Sequence, residues 1–437
     1  MMLISFLSTS ALVALVSAAP ADKWAARRAD MTAARYSSVS SVLSCYSNSL
    51  RTATTPTATT TGALSTTVLA ATLKPLPPNP AATSYVRDGK LHQPQPMPYT
   101  PGGGRDTNGT EPVYAPFSDW DFQSMALAVY QEYIELDLFR YALARFSVEE
   151  WEAYGINAED RFLIEFMAEQ EVGHAEIISN MLGAAAPQPC HYSYPFDTVP
   201  GFIEYAKKNT RWGESGTYGF LPHMDSGAAA SLIQASIATE ARQQAVFRQF
   251  QGLFLMPVNF IVATPQSWQW TLLAPDIAWC PANQTRLVWQ NFPALHILNE
   301  PNATEFGGRP AITHNTTALS APGRLIELQW ENPGHAIGPN NSYVTSTTAG
   351  TAKYVAWVNQ VNVTYTPLGN ISLGDSSRGE CNFGTTIQPG GVTIGGRPIV
   401  NETTFTLITD KDIFVTPYNL SMMNPHIVAG PALYNAG

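Results

Sequence analysis

Glu171 and His174 stand three residues apart in EFMAEQEVGHAEII (165–178), a run otherwise apolar enough to face a core. On a helix, positions i and i+3 point the same way, so the pair offers a carboxylate and an imidazole from one face. Carboxylates that bridge and neutralise cations, with imidazoles beside them, are what a helical bundle uses to hold a pair of metal ions. Two further acids, Glu132 and Glu135, lie among apolar residues in YQEYIELDLFRYAL. A third segment, ATEARQQAVFRQF, carries Glu240 and Gln243 at the same spacing, with an amide where the second imidazole would stand. An amide oxygen is a poorer donor than imidazole toward iron, so one half of a two-metal site reads as intact and the other as eroded. Burying a carboxylate is costly unless it is paired or coordinates a cation, which leaves two readings. Either Glu132, Glu171, His174 and Glu240 bind a metal, with Glu135 and Gln243 beside them, or the group is a degenerate cluster held by hydrogen bonds. In the second case His174 and Gln243 satisfy the acids and Arg242 pairs with one of them.

The elements that must position these residues follow from period and caps. Ser118 with Asp121 resembles a capping box, and apolar residues recur at helical spacing without Gly or Pro up to Phe146. A second long helix starts after Asn157 and ends at Gly183, with Pro187 beyond. PGFIEYAKKN (200–209) predicts a shorter helix; RWGESGTYGFLPHM (211–224) is rich enough in Gly and Pro to predict an irregular stretch. An Ala-rich helix then runs from Ser226 to near Gly252. Helices joined by short connections predict a bundle. From about residue 300 short β-branched and aromatic runs separated by turn residues, such as GRLIELQWENPG and AKYVAWVNQVNVTYTPL, predict an antiparallel, sandwich-like unit.

Composition narrows the function classes. A net charge of −10 in 437 residues leaves no basic surface for nucleic acid. Residues 1–18 have the apolar run and small residues of a secretory signal peptide, and 19–113 are a Ser/Thr/Pro-rich stretch expected to be a flexible stalk. Asn-x-Ser/Thr sequons at Asn108, Asn283, Asn302, Asn315, Asn340, Asn362, Asn370, Asn401 and Asn419 point to an extracellular glycoprotein. After the leader no apolar run approaches the ~20 residues of a membrane span. Four cysteines lack C-x-x-C spacing, and Cys190 with Cys280, which flank helical sequence, is the first pairing to expect in an oxidising compartment. Gly102–Gly104 lack the Lys and Ser/Thr of a phosphate loop, and Ser215 in GESGTYG lacks a nucleophile's strand-to-helix setting. Trp268, Trp270 and Trp279 pack in a core or line a carbohydrate surface.

The phrases YQEYIELDLFRYAL, EFMAEQEVGHAEII, RWGESGTYGFLPHM, SIATEARQQAVFRQFQG and LLAPDIAWCP resemble the fungal secreted ferritin-like-domain proteins known as stress response or late sexual development proteins. The resemblance extends from about residue 114 to the end and brings no established reaction. It implies a multidomain α+β chain: a ferritin-like four-helix bundle over 114–298, then a β-rich domain over 299–437. It places Glu132 on the first helix with Glu135 as alternate, Glu171 and His174 on the second, and Glu240 on the fourth with Gln243 departing from the pattern. Glu204 and Glu214 are the candidates for the third. The expected role is a secreted stress or developmental protein acting without catalysis at the cell wall or another extracellular surface. The alternative is an iron or manganese binding protein or a metal-dependent oxidoreductase.

Overall fold

The computed structural model describes residues 114–282, 284–390, 392–394, 397–399 and 403–437. The expected leader, the stalk, Asn108, Asn283 and Asn401 lie outside the described residues. Six α-helices are described: α1 (Asp119–Arg145), α2 (Val148–Tyr154), α3 (Ala158–Leu182), α4 (Val199–Phe220), α5 (Gly227–Phe250) and α6 (Gln266–Leu273). The four long ones form the bundle, α1 packing on α3 and α4, and α5 on α4 and α3. Their starts are capped as the sequence requires. Asn157 Oδ1 accepts the N–H groups of Glu159 and Asp160, and Asp160 answers the Asn157 N–H. Ser118 caps α1, but the Asp121 carboxylate reaches the Phe117 N–H and also accepts from Asp225 and Ser226 at 2.9 and 3.0 Å. The carboxylate therefore ties the start of α1 to the start of α5.

The stretch 211–224 corrects the sequence reading, because α4 runs unbroken to Phe220. Gly213, Gly216 and Gly219 fall at i, i+3 and i+6, on one side of that helix. A Cβ at 213 would collide with Gln131 of α1, one at 216 with Gln269 of α6, and one at 219 with the Thr264 carbonyl. These glycines mark a line of close approach, and helix propensity is overridden there by packing. Helices α2 and α6 were not anticipated. α6 buries Trp268 and Trp270 completely, so of the three tryptophans only Trp279 reaches the surface.

The strands are β1 (His191–Tyr192), β2 (Ile277–Trp279), β3 (Leu295–Ile297), β4 (Leu325–Trp330), β5 (Ala336–Ile337), β6 (Tyr343–Val344) and β7 (Tyr354–Asn359). They continue with β8 (Asn362–Pro367), β9 (Gly369–Ser372), β10 (Asn382–Ile387), β11 (Val392–Ile394), β12 (Arg397–Ile399), β13 (Thr403–Thr409) and β14 (Ile427–Asn435). All pairings are antiparallel, and two four-stranded sheets result, β3-β4-β10-β9 and β14-β13-β7-β8. β1 and β2 pair with each other, and the Cys190–Cys280 disulfide clamps that pair.

The second sheet lies between the helices and the first sheet. Ala356, Val358, Phe405 and Leu407 face Trp212 of α4 and Trp268 of α6, while Val355, Trp357, Ile408 and Tyr434 face Leu328 and Trp330 of the first sheet. Covering both faces explains why β13 is buried along its whole length, its threonines included. Bundle and β region thus share one buried cluster. Lys208 adds an ion pair to Glu300 at 2.6 Å, and Glu300 accepts the Asn435 N–H at 2.9 Å.

The glycine line is testable by contrast with Gly173, which lies on the exposed side of α3 with nothing near its missing Cβ. Gly216→Ala is expected to cost ~1–3 kcal/mol from overpacking. Gly173→Ala should be neutral or stabilise by up to ~1 kcal/mol through helix propensity. Urea unfolding of the two variants checks both signs.

Candidate metal centre

The middle of the bundle collects charge. Glu132 on α1, Glu171 and His174 on α3 and Glu240 on α5 are all buried, and one ligand atom from each lies within 4.8 Å of all the others. Each arrives by helical spacing. Glu171 and His174 share the inward face of α3 with Met167, Ala168, Ala175 and Ile178, whereas Phe166 and Ile177 of the same run face solvent. Glu132 and Glu135 are both inward on α1, a turn apart. Glu240 and Gln243 face inward on α5, and Arg242 is exposed, so it is not the counter-ion of the cluster.

The hydrogen bonds fix the chemistry of the imidazole. Thr239 Oγ1 donates its single proton to the Ser236 carbonyl at 2.7 Å. It lies 3.0 Å from His174 Nε2, so that nitrogen must be the donor and carries hydrogen. Nδ1 is thereby turned to the carboxylates, 2.9 Å from Glu171 Oε2 and 3.3 Å from Glu132 Oε2. Facing two carboxylates, Nδ1 holds either a second proton or, with its lone pair, a cation. Gln243 Nε2 donates to Glu171 Oε1 and, at 3.3 Å, to Gln170 Oε1. Gln131 Nε2 serves Glu135 Oε1 and Asn209 Oδ1, each at 2.8 Å.

These donors do not cover the acids. Among the described residues, Glu135 Oε2, Glu240 Oε2 and Gln243 Oε1 are buried with no hydrogen-bond partner, and Glu132 Oε2 has only the imidazole edge. Without a cation the site must hold protons. Desolvation pushes the Glu132 carboxyl up to about 7 even with His174 opposing the shift. Desolvation and then the neighbouring carboxylates raise Glu135 and Glu240 well above the usual carboxyl range. Burial alone would depress the His174 imidazole, but hydrogen bonds and charge attraction from Glu132 and Glu171 overcome it and raise it to about 12. Three carboxylates, one imidazole nitrogen and orphaned oxygens fit a divalent cation that favours oxygen ligands, such as Mn²⁺ or Fe²⁺.

The other candidate residues lie elsewhere. Glu214 is fully buried on α4 and accepts from Arg211 at 2.7 Å, and Glu204 is held down to about 2 because Lys207 and Lys208 outweigh its desolvation. Neither joins the cluster, so α4 supplies no acid to it. His223 is exposed and packs edge-on against Trp120, away from the cluster. Asn315, Asn340, Asn362 and Asn370 are exposed, and Asn302 and Asn419 half-buried. Thr239 was missed from sequence, because a lone hydroxyl residue on a helix carries no pattern.

Comparison with known proteins agrees with this geometry. Residues 118–253, which span all four bundle helices, match the family described as Ferritin-like domain. The protein called Protein rds1 of Schizosaccharomyces pombe is 50% identical over 371 residues, covering 81% of this chain and 90% of the relative.

Two outcomes follow. Thr239→Val strands the His174 Nε2–H, and should cost ~1–3 kcal/mol and weaken metal affinity ~10–100-fold, while Thr239→Ser retains both. Melting curves and metal titration of the two variants check this. Raised pKa values at Glu132 and His174 mean that the folded chain binds more protons than the unfolded one from pH 4.5 to about 7 and on above 6.5. The metal-free protein should therefore lose stability as the pH rises through that window. Melting temperatures across pH 4.5–8 in chelator measure it, and a rise with pH would contradict the protonated cluster.

Proposed function

Because the chain belongs to the family of Protein rds1 and carries a ferritin-like domain, we propose that its bundle binds one divalent ion, manganese or iron, in a secreted protein that serves under stress. The observation that carries this is the convergence of Glu132, Glu171, His174 and Glu240, with orphaned carboxylate oxygens between them. An ion held there would supply one-electron chemistry toward oxygen species. The chain's own residues do the rest. Thr239 sets the imidazole tautomer, Gln131 holds Glu135, and Gln243 holds Glu171 by its amide N–H groups. Glu132 and Glu240 give up their protons on binding and His174 Nδ1 gives up its second, so uptake releases acid and weakens as the pH falls. Gln243 in place of a second imidazole, and no acid from α4, favour one ion over two. Secretion is supported by the sequons and by the Cys190–Cys280 bridge, which suits an oxidising compartment.

A second reading has its own observation. The Gln243–Glu171 hydrogen bond ties α5 to α3 without any metal, as in a bundle that is only a scaffold for contacts at a cell wall or other surface. Elemental analysis of protein purified without chelator separates the two. About one manganese or iron per chain in the wild type, lost in the Glu171→Ala, His174→Ala double variant and bound with proton release in a pH-stat titration, is the expected result. No metal after anaerobic loading would leave the scaffold.

A further inference from the structure

One helix of the bundle carries an apolar line on its outer side. Among the described residues α1, α4 and α5 expose no large apolar side chain, whereas α3 exposes Phe162, Leu163, Phe166 and Ile177. Phe162, Phe166 and Ile177 are 59%, 54% and 36% exposed, and the two phenylalanine rings lie 6.4 Å apart. Together with Gly173 they form one outward row on α3, at the three-and-four spacing of a helix-pairing seam once Glu169 and Gln170 are counted between them. Gly173 is a gap in that row, since a Cβ there would meet nothing within 4 Å. A glycine inside a helix weakens it relative to alanine, and the packing of the chain on itself gives no reason for one here. Large apolar side chains gathered on one exposed face mark a contact surface.

The row complements itself about its midpoint. Phe162 with Ile177, and Phe166 with Gly173, are both centred between Glu169 and Gln170. When two copies of α3 run antiparallel about a two-fold axis at that point, Phe166 of each lies over Gly173 of the other, and Phe162 lies beside Ile177. We propose that the chain forms a homodimer through this face of α3, the Phe166 ring of each copy seated in the gap at Gly173 of its partner. Such a contact uses the same patch twice and closes at two subunits. Only the central layer is polar, Glu169 with Gln170, and a single polar layer is what fixes register between paired helices. The row is ~22 Å long, which by itself is short for the ~800 Å² per partner of a stable interface. Ala235 and Ala238, exposed on the neighbouring α5, are small enough to let the second bundle approach and extend it. No sequon falls between Asn108 and Asn283, so the helices carry no N-linked glycan of their own to screen the face. Glu171 and His174 lie on the inward side of the same helix, so pairing would brace the element that supplies two of the four cluster residues.

Sedimentation velocity of the full chain over a range of concentrations is the test. The wild type should reach a dimer. Phe166→Ala, which removes the knob, and Gly173→Phe, which fills the gap, should each weaken it about tenfold or more. Both positions are exposed, so both variants should keep the wild-type Tm when dilute enough to be monomeric. An equimolar mixture of the two should recover a mixed dimer, because each Phe of one chain then meets an Ala or Gly of the other. Oxidation of a Phe162→Cys, Ile177→Cys chain should join two copies through a bridge between 162 and 177, identified by peptide mass spectrometry. Phe162→Cys alone should give no bridge between the two 162 positions, which would lie ~22 Å apart. A wild type that stays monomeric up to its solubility limit would overturn the proposal, as would a dimer indifferent to both substitutions or a bridge joining 162 to 162. A monomer that instead sediments with phosphatidylcholine vesicles would give the row to a lipid surface, and would overturn the second copy as its occupant.

Discussion

Carboxylates cannot share a dry helical interior as anions, and this constraint organises the protein. Four glutamates and one imidazole meet between α1, α3 and α5, and their mutual repulsion and desolvation must be offset by protons or by a cation. The surroundings supply only part of the compensation. Gln131 and Gln243 each serve one carboxylate oxygen, and Thr239 is used up in orienting His174. What the amides leave over is the set of oxygens that protons or a cation must meet, so the polar shell and the orphaned oxygens are two sides of the same arrangement.

Holding such a cluster requires a rigid frame, since a buried polar network is worth keeping only when its members cannot drift apart. The frame is unusual in that the bundle is not closed by helices alone. A sheet covered on both faces packs against α4 and α6, and the Lys208–Glu300 pair with the Asn435 contact locks that interface. Along α4, the glycine line lets Gln131 and Gln269 approach the helix backbone closely. Gln131 is the residue that holds Glu135, so the close packing of α1 on α4 and the positioning of a cluster acid depend on the same side chain.

The acidic cluster was legible where it rests on local geometry. Glu171 and His174 are three apart on one helix, and no tertiary event can separate them. Glu132 and Glu135 were both visible on α1, but which of them meets His174 depends on the rotation of α1 against α3. The eroded position at Gln243 was visible as a residue type; that its N–H groups would turn to Glu171 was not. The largest misreading, the irregular stretch at 211–224, came from treating Gly213, Gly216 and Gly219 as breakers. Their three-residue spacing was the available signal, because breakers have no reason to repeat on one helix face. The run 165–178 reads as apolar enough to face a core, yet the fold leaves two of its large apolar residues, Phe166 and Ile177, in solvent.

Sequence by itself determined the helical bundle and the β-rich region after it, the caps at Ser118 and Asn157, and the chemistry available on each helix face, because these follow from periodicities of a few residues and from side-chain type. Tertiary structure alone decided which acids converge, that Glu214 turns to Arg211 rather than to the cluster, that Thr239 sets the tautomer of His174, and that the second sheet is shared between bundle and sandwich. Each of those outcomes depends on how one element is rotated against another. That rotation is fixed by summed packing across the whole interface, and no local stretch of sequence encodes it.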